Sequence, residues 1–175
     1  MMLAALALAA APVDVAVLTV ITPGGGRQPL QRYEMPQDGR GMTKTLQLPP
    51  GAALEIAGGV GLVPEELPGF GGIYSNARAV VVAAGGQETL ADGGDEPVDA
   101  RAVAAGDWAG VRGRFWTLLA RSAAPLTLDA RETAPDAPVV TLHPAGSAVL
   151  SLELFVGPVA KDELRAADPV LTNML

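Results

Sequence analysis

Glycine and proline constrain this chain more than any other feature. Together they fill 36 of its 175 positions, 21 as Gly and 15 as Pro, and they recur along the whole length. Each Gly costs a helix interior about 1 kcal/mol and each Pro about 3 kcal/mol, whereas both suit the turns between short strands. What lies between them reads as strand. Val13 to Ile21 alternates Val13, Val15, Val17, Thr19 and Ile21 on one face and stops at Pro23-Gly24-Gly25-Gly26. Similar runs are Thr43 to Leu48, Ala52 to Ala57, Arg78 to Ala83, Phe115 to Arg121, Leu126 to Arg131, Pro138 to His143 and Ser147 to Val156. In the last, Leu150, Leu152, Leu154 and Val156 point one way while Ser151, Glu153 and Phe155 point the other, as a half-buried strand requires. Ala83 to Ala105, rich in Ala, Gly and Asp, reads as a loose loop holding at most a short strand. Lys161 to Ala167 has helix-forming residues with Leu164 as their main apolar contact, and Asp168-Pro169 ends it. The pattern predicts an all-β, antiparallel sandwich with a short C-terminal helix.

The core of such a fold would be aliphatic. Leu, Ile, Val and Phe supply 46 residues and Ala 31, against seven aromatics, which is enough apolar material to fold. The formal charge of −7 argues against nucleic acid as a partner. With no cysteine there is no disulfide, thiolate nucleophile, zinc ribbon or iron–sulfur cluster, and a single histidine, His143, removes most other transition-metal sites. No cofactor and no metal centre are expected.

Met1 to Ala11 reads MMLAALALAAA, an apolar leader resembling the centre of a secretory signal without the positive charge ahead of it. It predicts export or membrane attachment, with a frayed arm as the plain alternative. The organisation expected is therefore a leader over 1–12, a β-sandwich over 13–159, and a short helix with a membrane-proximal tail over 160–175.

The motifs that could carry chemistry are weak. Gly58-Gly59-Val60-Gly61 begins like a dinucleotide cradle, but Pro64 stands where the third glycine belongs. Gly24-Gly25-Gly26 lacks the Gly-Lys-Ser/Thr of a phosphate loop and reads as a turn. Ser122, Asp129 and His143 occur in an order a catalytic triad permits, yet no Gly-x-Ser-x-Gly elbow surrounds any serine. Glu65-Glu66 and the group Asp92, Asp95, Glu96, Asp99 are acid clusters with few aromatics for a sugar and without the spacing that wraps calcium. No residue is expected to be catalytic. The most unusual stretch is Gly106 to Leu119, where both tryptophans, Phe115 and two arginines fall close together. It reads either as a partner-binding surface or as the bulky plugs of an Ala-rich core.

That stretch also carries a family resemblance. Trp108-x-Gly110, then Phe115-Trp116 and Leu118-Leu119, resembles a segment of the large periplasmic domain of the bacterial YidC membrane-insertase family. Val17 to Tyr33 resembles that domain's opening strand, its Gly25-Gly26 turn and the Leu-x-x-Tyr ending at Tyr33. Leu152 to Leu164 resembles its closing strand, a Gly157-Pro158 turn and a short helix. The chain departs from the family in being shorter between Tyr33 and Trp108, in Gly113 where an acid is common, and in Val159 where a lysine is common. No run after Thr22 reaches the roughly 20 apolar residues of a membrane span, so the sequence does not hold the bundle of helices that performs insertion in that family and reads as a truncated chain or a stand-alone relic.

The resemblance implies a shortened sandwich of the galactose-mutarotase-like kind, held at the periplasmic face of the inner membrane. It would support protein insertion there without catalysis, in contact with the insertion or translocation machinery and with no small-molecule substrate. Arg112, Arg114, Trp116 and Leu164 are the residues expected to make contacts, the arginines as rim charges and Leu164 as the anchor of the terminal helix. A carbohydrate-binding or epimerase-like sandwich is the alternative. It would carry His143 and carboxylates on a concave sheet with Trp108 or Trp116 exposed. A structural envelope or adhesion domain is a third reading.

Overall fold

The computed structural model describes residues 14–34, 38–58, 77–91 and 96–175. Among them twelve strands form two antiparallel sheets of six. The strands are β1 (Asp14–Ile21), β2 (Arg27–Glu34), β3 (Met42–Gln47), β4 (Ala53–Gly58), β5 (Arg78–Ala83), β6 (Gly86–Leu90), β7 (Val98–Val103), β8 (Trp108–Arg112), β9 (Trp116–Ser122), β10 (Leu126–Glu132), β11 (Pro138–His143) and β12 (Ser151–Pro158). The helix α1 (Lys161–Ala167) and a 3-10 turn (Pro169–Met174) follow. The first sheet runs in the order β2-β1-β4-β11-β10-β7, the second in the order β3-β12-β9-β8-β5-β6. This is the all-β sandwich the turn-rich sequence predicts.

Alternation decides what lies between the sheets. Leu18 and Val20 of β1, Leu54 and Ile56 of β4, Leu128 of β10 and Leu142 of β11 meet Val81, Val111, Leu118, Leu152 and Leu154 of the second sheet in one aliphatic cluster. The edges close on each side by polar contacts between sheets. Lys44 of β3 donates to Gln31 of β2 at 3.0 Å, and Arg101 of β7 pairs with Glu88 of β6.

The sheets differ on their outer faces. On the second, Val80, Val82, Trp108, Leu119 and Phe155 form a separate apolar cluster with Leu164, Leu171 and Met174 of the C-terminal segment. That sheet is thus buried on both faces, which is why β5 reads as three consecutive valines. The outer face of the first sheet is mixed, with Thr19, Glu55, Thr141 and Asp129 in one row and Val17, Ala57 and Val139 in the next.

Several expectations need revision. Within Ala83–Ala105, read as a loose loop with at most a short strand, the described residues contribute two strands, β6 and β7. Gly157 and Pro158 do not turn; they continue β12, paired with Thr117 and Trp116, and the chain bends only afterwards. The run read from Ser147 starts as a strand at Ser151. The 1–12 leader, residues 59–61 of the glycine run, Glu65-Glu66, Asp92 and Asp95 lie outside the described residues.

Candidate functional site

Two surfaces hold the residues singled out from the sequence. The first is the outer face of the second sheet, where the C-terminal segment docks. Asp168 organises it. Its backbone N–H closes α1 on Leu164 O at 2.9 Å, and its Oδ1 accepts the Val170 N–H at 3.1 Å to start the 3-10 turn. Its Oδ2 accepts from Trp108 Nε1 at 2.9 Å and from Arg121 Nη1 at 2.5 Å. Arg121 lies 4.7 Å above the Trp108 ring and also grips Glu153 at 2.9 Å, so the indole is held on its face and by its N–H. At the other end Arg112 donates to Met174 O at 2.8 Å and to Gln87 at 2.6 Å, and Asn173 donates to Ala83 O at 2.8 Å.

The expected contact residues distribute unevenly over this surface. Arg112 is not a rim charge. It is partly buried beneath the terminal turn, its guanidinium is engaged within the chain, and burial lowers its pKa. Trp116 points inward because β9 places Trp116, Leu118 and Ala120 on the core side, leaving Phe115, 49% exposed, as the outward aromatic of the β8–β9 hairpin. Arg114 is exposed beside it, its guanidinium 5.6 Å from the Phe115 ring. Leu164 is fully buried in the outer cluster, so it anchors the helix on the sheet and offers no surface to a partner.

The residues that carry the family resemblance have packing roles. Gly25 takes a φ of +86° in the β1–β2 turn, where its N–H bonds to Thr22 O at 2.8 Å. At Gly26 an added Cβ would meet Thr22 Oγ1 at 2.9 Å, the hydroxyl that donates to Gly26 O, so a side chain there would displace that bond. Tyr33 is buried in the main core and Trp108 in the outer cluster. Gly157 faces Gly41, whose Cα would lie 2.6 Å from an added Cβ, and that approach lets Glu163 of α1 accept the Gly41 N–H at 2.7 Å. An open groove of about 430 Å³ runs beside the docked segment between Thr45, Gly106, Arg121, Ser122, Ser151 and Glu153. Arg121, the cation in its wall, is already taken by Glu153 and Asp168.

The second surface is the outer face of the first sheet. His143 Nε2 and Asp129 Oδ2 stand 2.7 Å apart, diagonal neighbours across the β10–β11 hairpin, where Asp129 opposes Thr141 and Thr127 opposes His143. Asp129 Oδ1 also accepts the Ala100 N–H at 2.8 Å, fixing a bulge of β7 in which Ala100 has a φ of +52°. Burial pushes the Asp129 carboxyl upward, but the Ala100 N–H, His143 and Arg131 outweigh it and the net shift is downward. Ser122, the third member of the possible triad, is on β9 in the other sheet, with its Oγ accepting the Ala124 N–H at 3.1 Å. The acid and the imidazole meet; the hydroxyl does not join them.

Glu55 escapes notice in the sequence because it interrupts an otherwise apolar strand. It is 7% exposed, and Arg27 reaches from β2 across β1 to hold it with two bonds, 2.6 and 2.9 Å. Those bonds keep its carboxyl below the usual range against the opposing effect of burial, and Arg131 adds to the lowering. Among the described residues no three His, Asp or Glu side chains stand together to hold a metal ion. Comparison of the chain with family models finds no match, and comparison with curated proteins finds none.

Proposed function

We propose that this chain is a non-catalytic, YidC-type periplasmic sandwich that works at the membrane beside the protein-insertion or translocation machinery. One observation carries the reading. The three segments that resemble the family, Val17 to Tyr33, Trp108 to Leu119 and Leu152 to Leu164, fall in a single sandwich as β1–β2, β8–β9 and β12 with α1. Within them Tyr33, Trp108 and Trp116 are packed, and Gly110 and Gly157 stand where backbone lies too close for a side chain. The exposed Phe115 and Arg114 at the β8–β9 turn are the contact point this reading favours, in place of Trp116 and Arg112.

The carbohydrate-binding alternative loses the stacking platform it expected, because Trp108 is fully buried and Trp116 packs on the core. What remains of it is the first-sheet face.

A photoreactive phenylalanine analogue at position 115, in the chain expressed in its own envelope, tests the proposal. Crosslinks to a component of the insertion or translocation machinery are expected, with the chain in the membrane fraction and protease-accessible from the periplasmic side. A cytosolic chain, or crosslinks only to unrelated proteins, would overturn it.

A further inference from the structure

We propose that the edge of β3 takes up an extended segment of another protein as an added antiparallel strand, a role separate from the contact at Phe115. Lys44 selects the segment: an acidic residue with an apolar residue two places away on each side. Among the described residues the two sheets end in four edge strands, β2, β7, β6 and β3. Three of them resist addition. β2 carries Pro29 and two breaks in register, and β7 bulges at Ala100, both features that spoil an edge for pairing. β6 is short, and its Gln87 and Glu88 are held within the chain by Arg112 and Arg101. β3 has none of these. Its pairing with β12 runs unbroken from Met42 to Gln47, and every residue in it except Leu46 is exposed.

The ladder fixes what this edge offers. One step beyond β3, Leu48 donates to Leu150 O at 3.0 Å. The alternation of an antiparallel pair then turns the N–H and C=O groups of Met42, Lys44 and Leu46 toward β12 and those of Thr43, Thr45 and Gln47 away from it. An added strand would bond to the latter three. Side chains alternate as well. Thr43 and Thr45 lie on the outer side, opposite Phe155 and Glu153, and Thr45 borders the groove of about 430 Å³. Met42, Lys44 and Leu46 lie on the core side, opposite Val156, Leu154 and Leu152.

Charge complementarity decides which strand fits. The Lys44 ammonium is held by two neutral groups, Gln31 Oε1 at 3.0 Å and the Tyr33 ring at 5.9 Å, and among the described residues no carboxylate pairs with it. An apolar side chain laid across it would strip water from an unmatched charge. A carboxylate directly opposite would instead accept one of its remaining N–H bonds. Met42, 46% exposed, and the half-buried Leu46 stand two residues away on either side and suit apolar partners. A second copy of β3 does not meet this demand. Its sequence MTKTLQ holds no acid, so two-fold pairing would set Lys44 against Lys44, Met42 or Leu46.

The probe is a fluorescent peptide, acetyl-Ser-Leu-Thr-Glu-Thr-Leu-Ser-amide, titrated with the full chain and followed by anisotropy. Saturable binding is expected, with half-saturation on the order of 0.1 to 1 mM. It should be about fivefold tighter than for the same peptide with lysine in place of its glutamate. Lys44→Glu should reverse that preference; should this variant fail to fold, the two peptides on the parent chain make the same comparison. Methylating the backbone nitrogens of the peptide's two threonines, which face Thr43 and Thr45 across the ladder, should abolish binding. Amide exchange at Thr43, Thr45 and Gln47, read by NMR, should slow when the peptide is bound. No saturable binding, equal binding of the two peptides, undiminished binding of the methylated one, or slowed exchange at another edge would each overturn the proposal. So would slowing of the β3 amides with protein concentration alone, which marks pairing between copies. No membrane or insertion machinery enters this titration, so it can fail while the crosslinking at Phe115 succeeds, and the reverse.

Discussion

A Cβ on Gly110 would sit 2.2 Å from the Leu118 carbonyl oxygen and 3.0 Å from Leu119 Cα, both backbone atoms that no side-chain rotation can move. Gly110→Ala should therefore cost about 1–3 kcal/mol, seen as a lower urea midpoint with an unchanged slope. Glu55 makes a different kind of prediction. Its carboxyl titrates below the ordinary value in the folded chain because Arg27 holds the ionised form. Its contribution is then fully present above the ordinary glutamate range, near pH 4.5, and is lost as the pH falls through the lower folded value. Glu55→Gln should be less stable than the parent at pH 7, and the difference should shrink as urea titrations are taken below pH 4. A constant difference down to pH 2 would rule out the ion pair as its source. Neither residue's role was legible in the chain. Gly110 was visible as part of a motif, but its reason is the closeness of β9, which sequence does not express. Asp129 and His143 were visible only as possible triad members, and their meeting depends on the β10–β11 register.

The C-terminal segment is the element most open to test. Leu164 contributes the helix's one buried side chain, and Leu164→Ala should destabilise by about 2–5 kcal/mol if its docking is coupled to the sheet. Asp168→Ala orphans the Trp108 N–H and leaves Arg121 with Glu153 alone, at about 1–3 kcal/mol. Amide exchange over residues 161–174 should accelerate well before that of β9. Exchange over Lys161–Ala167 as fast as in a free peptide in the parent chain would mean the helix is not docked. Elements with a buried face were readable: Arg78–Ala83, Pro138–His143 and Lys161–Ala167 have the boundaries their patterns predict. Others offered no pattern. In β2 only Tyr33 is buried, and Pro29 argues against a strand until its place at a sheet edge explains it. In β6 only Leu90 is buried, and β7 is an edge strand with a bulge. These were hidden because strands with solvent on most sides have no hydrophobic alternation to show.

At the scale of the molecule, two sheets of equal size have unequal surroundings. The second is sandwiched between the core and the terminal segment, while the first turns a row of threonines and carboxylates outward. Short strands and frequent turns made the architecture readable; which sheet would be covered was not, because that depends on where the last fifteen residues fold back. That return sets a mechanical consequence. Arg112 and Asn173 fasten the final turn to β8 and to the end of β5, while Asp168 ties its start to β8 and β9. A pull on Leu175 is therefore shared among three inner strands instead of stripping one from an edge, and the domain would resist tension from that end as a unit.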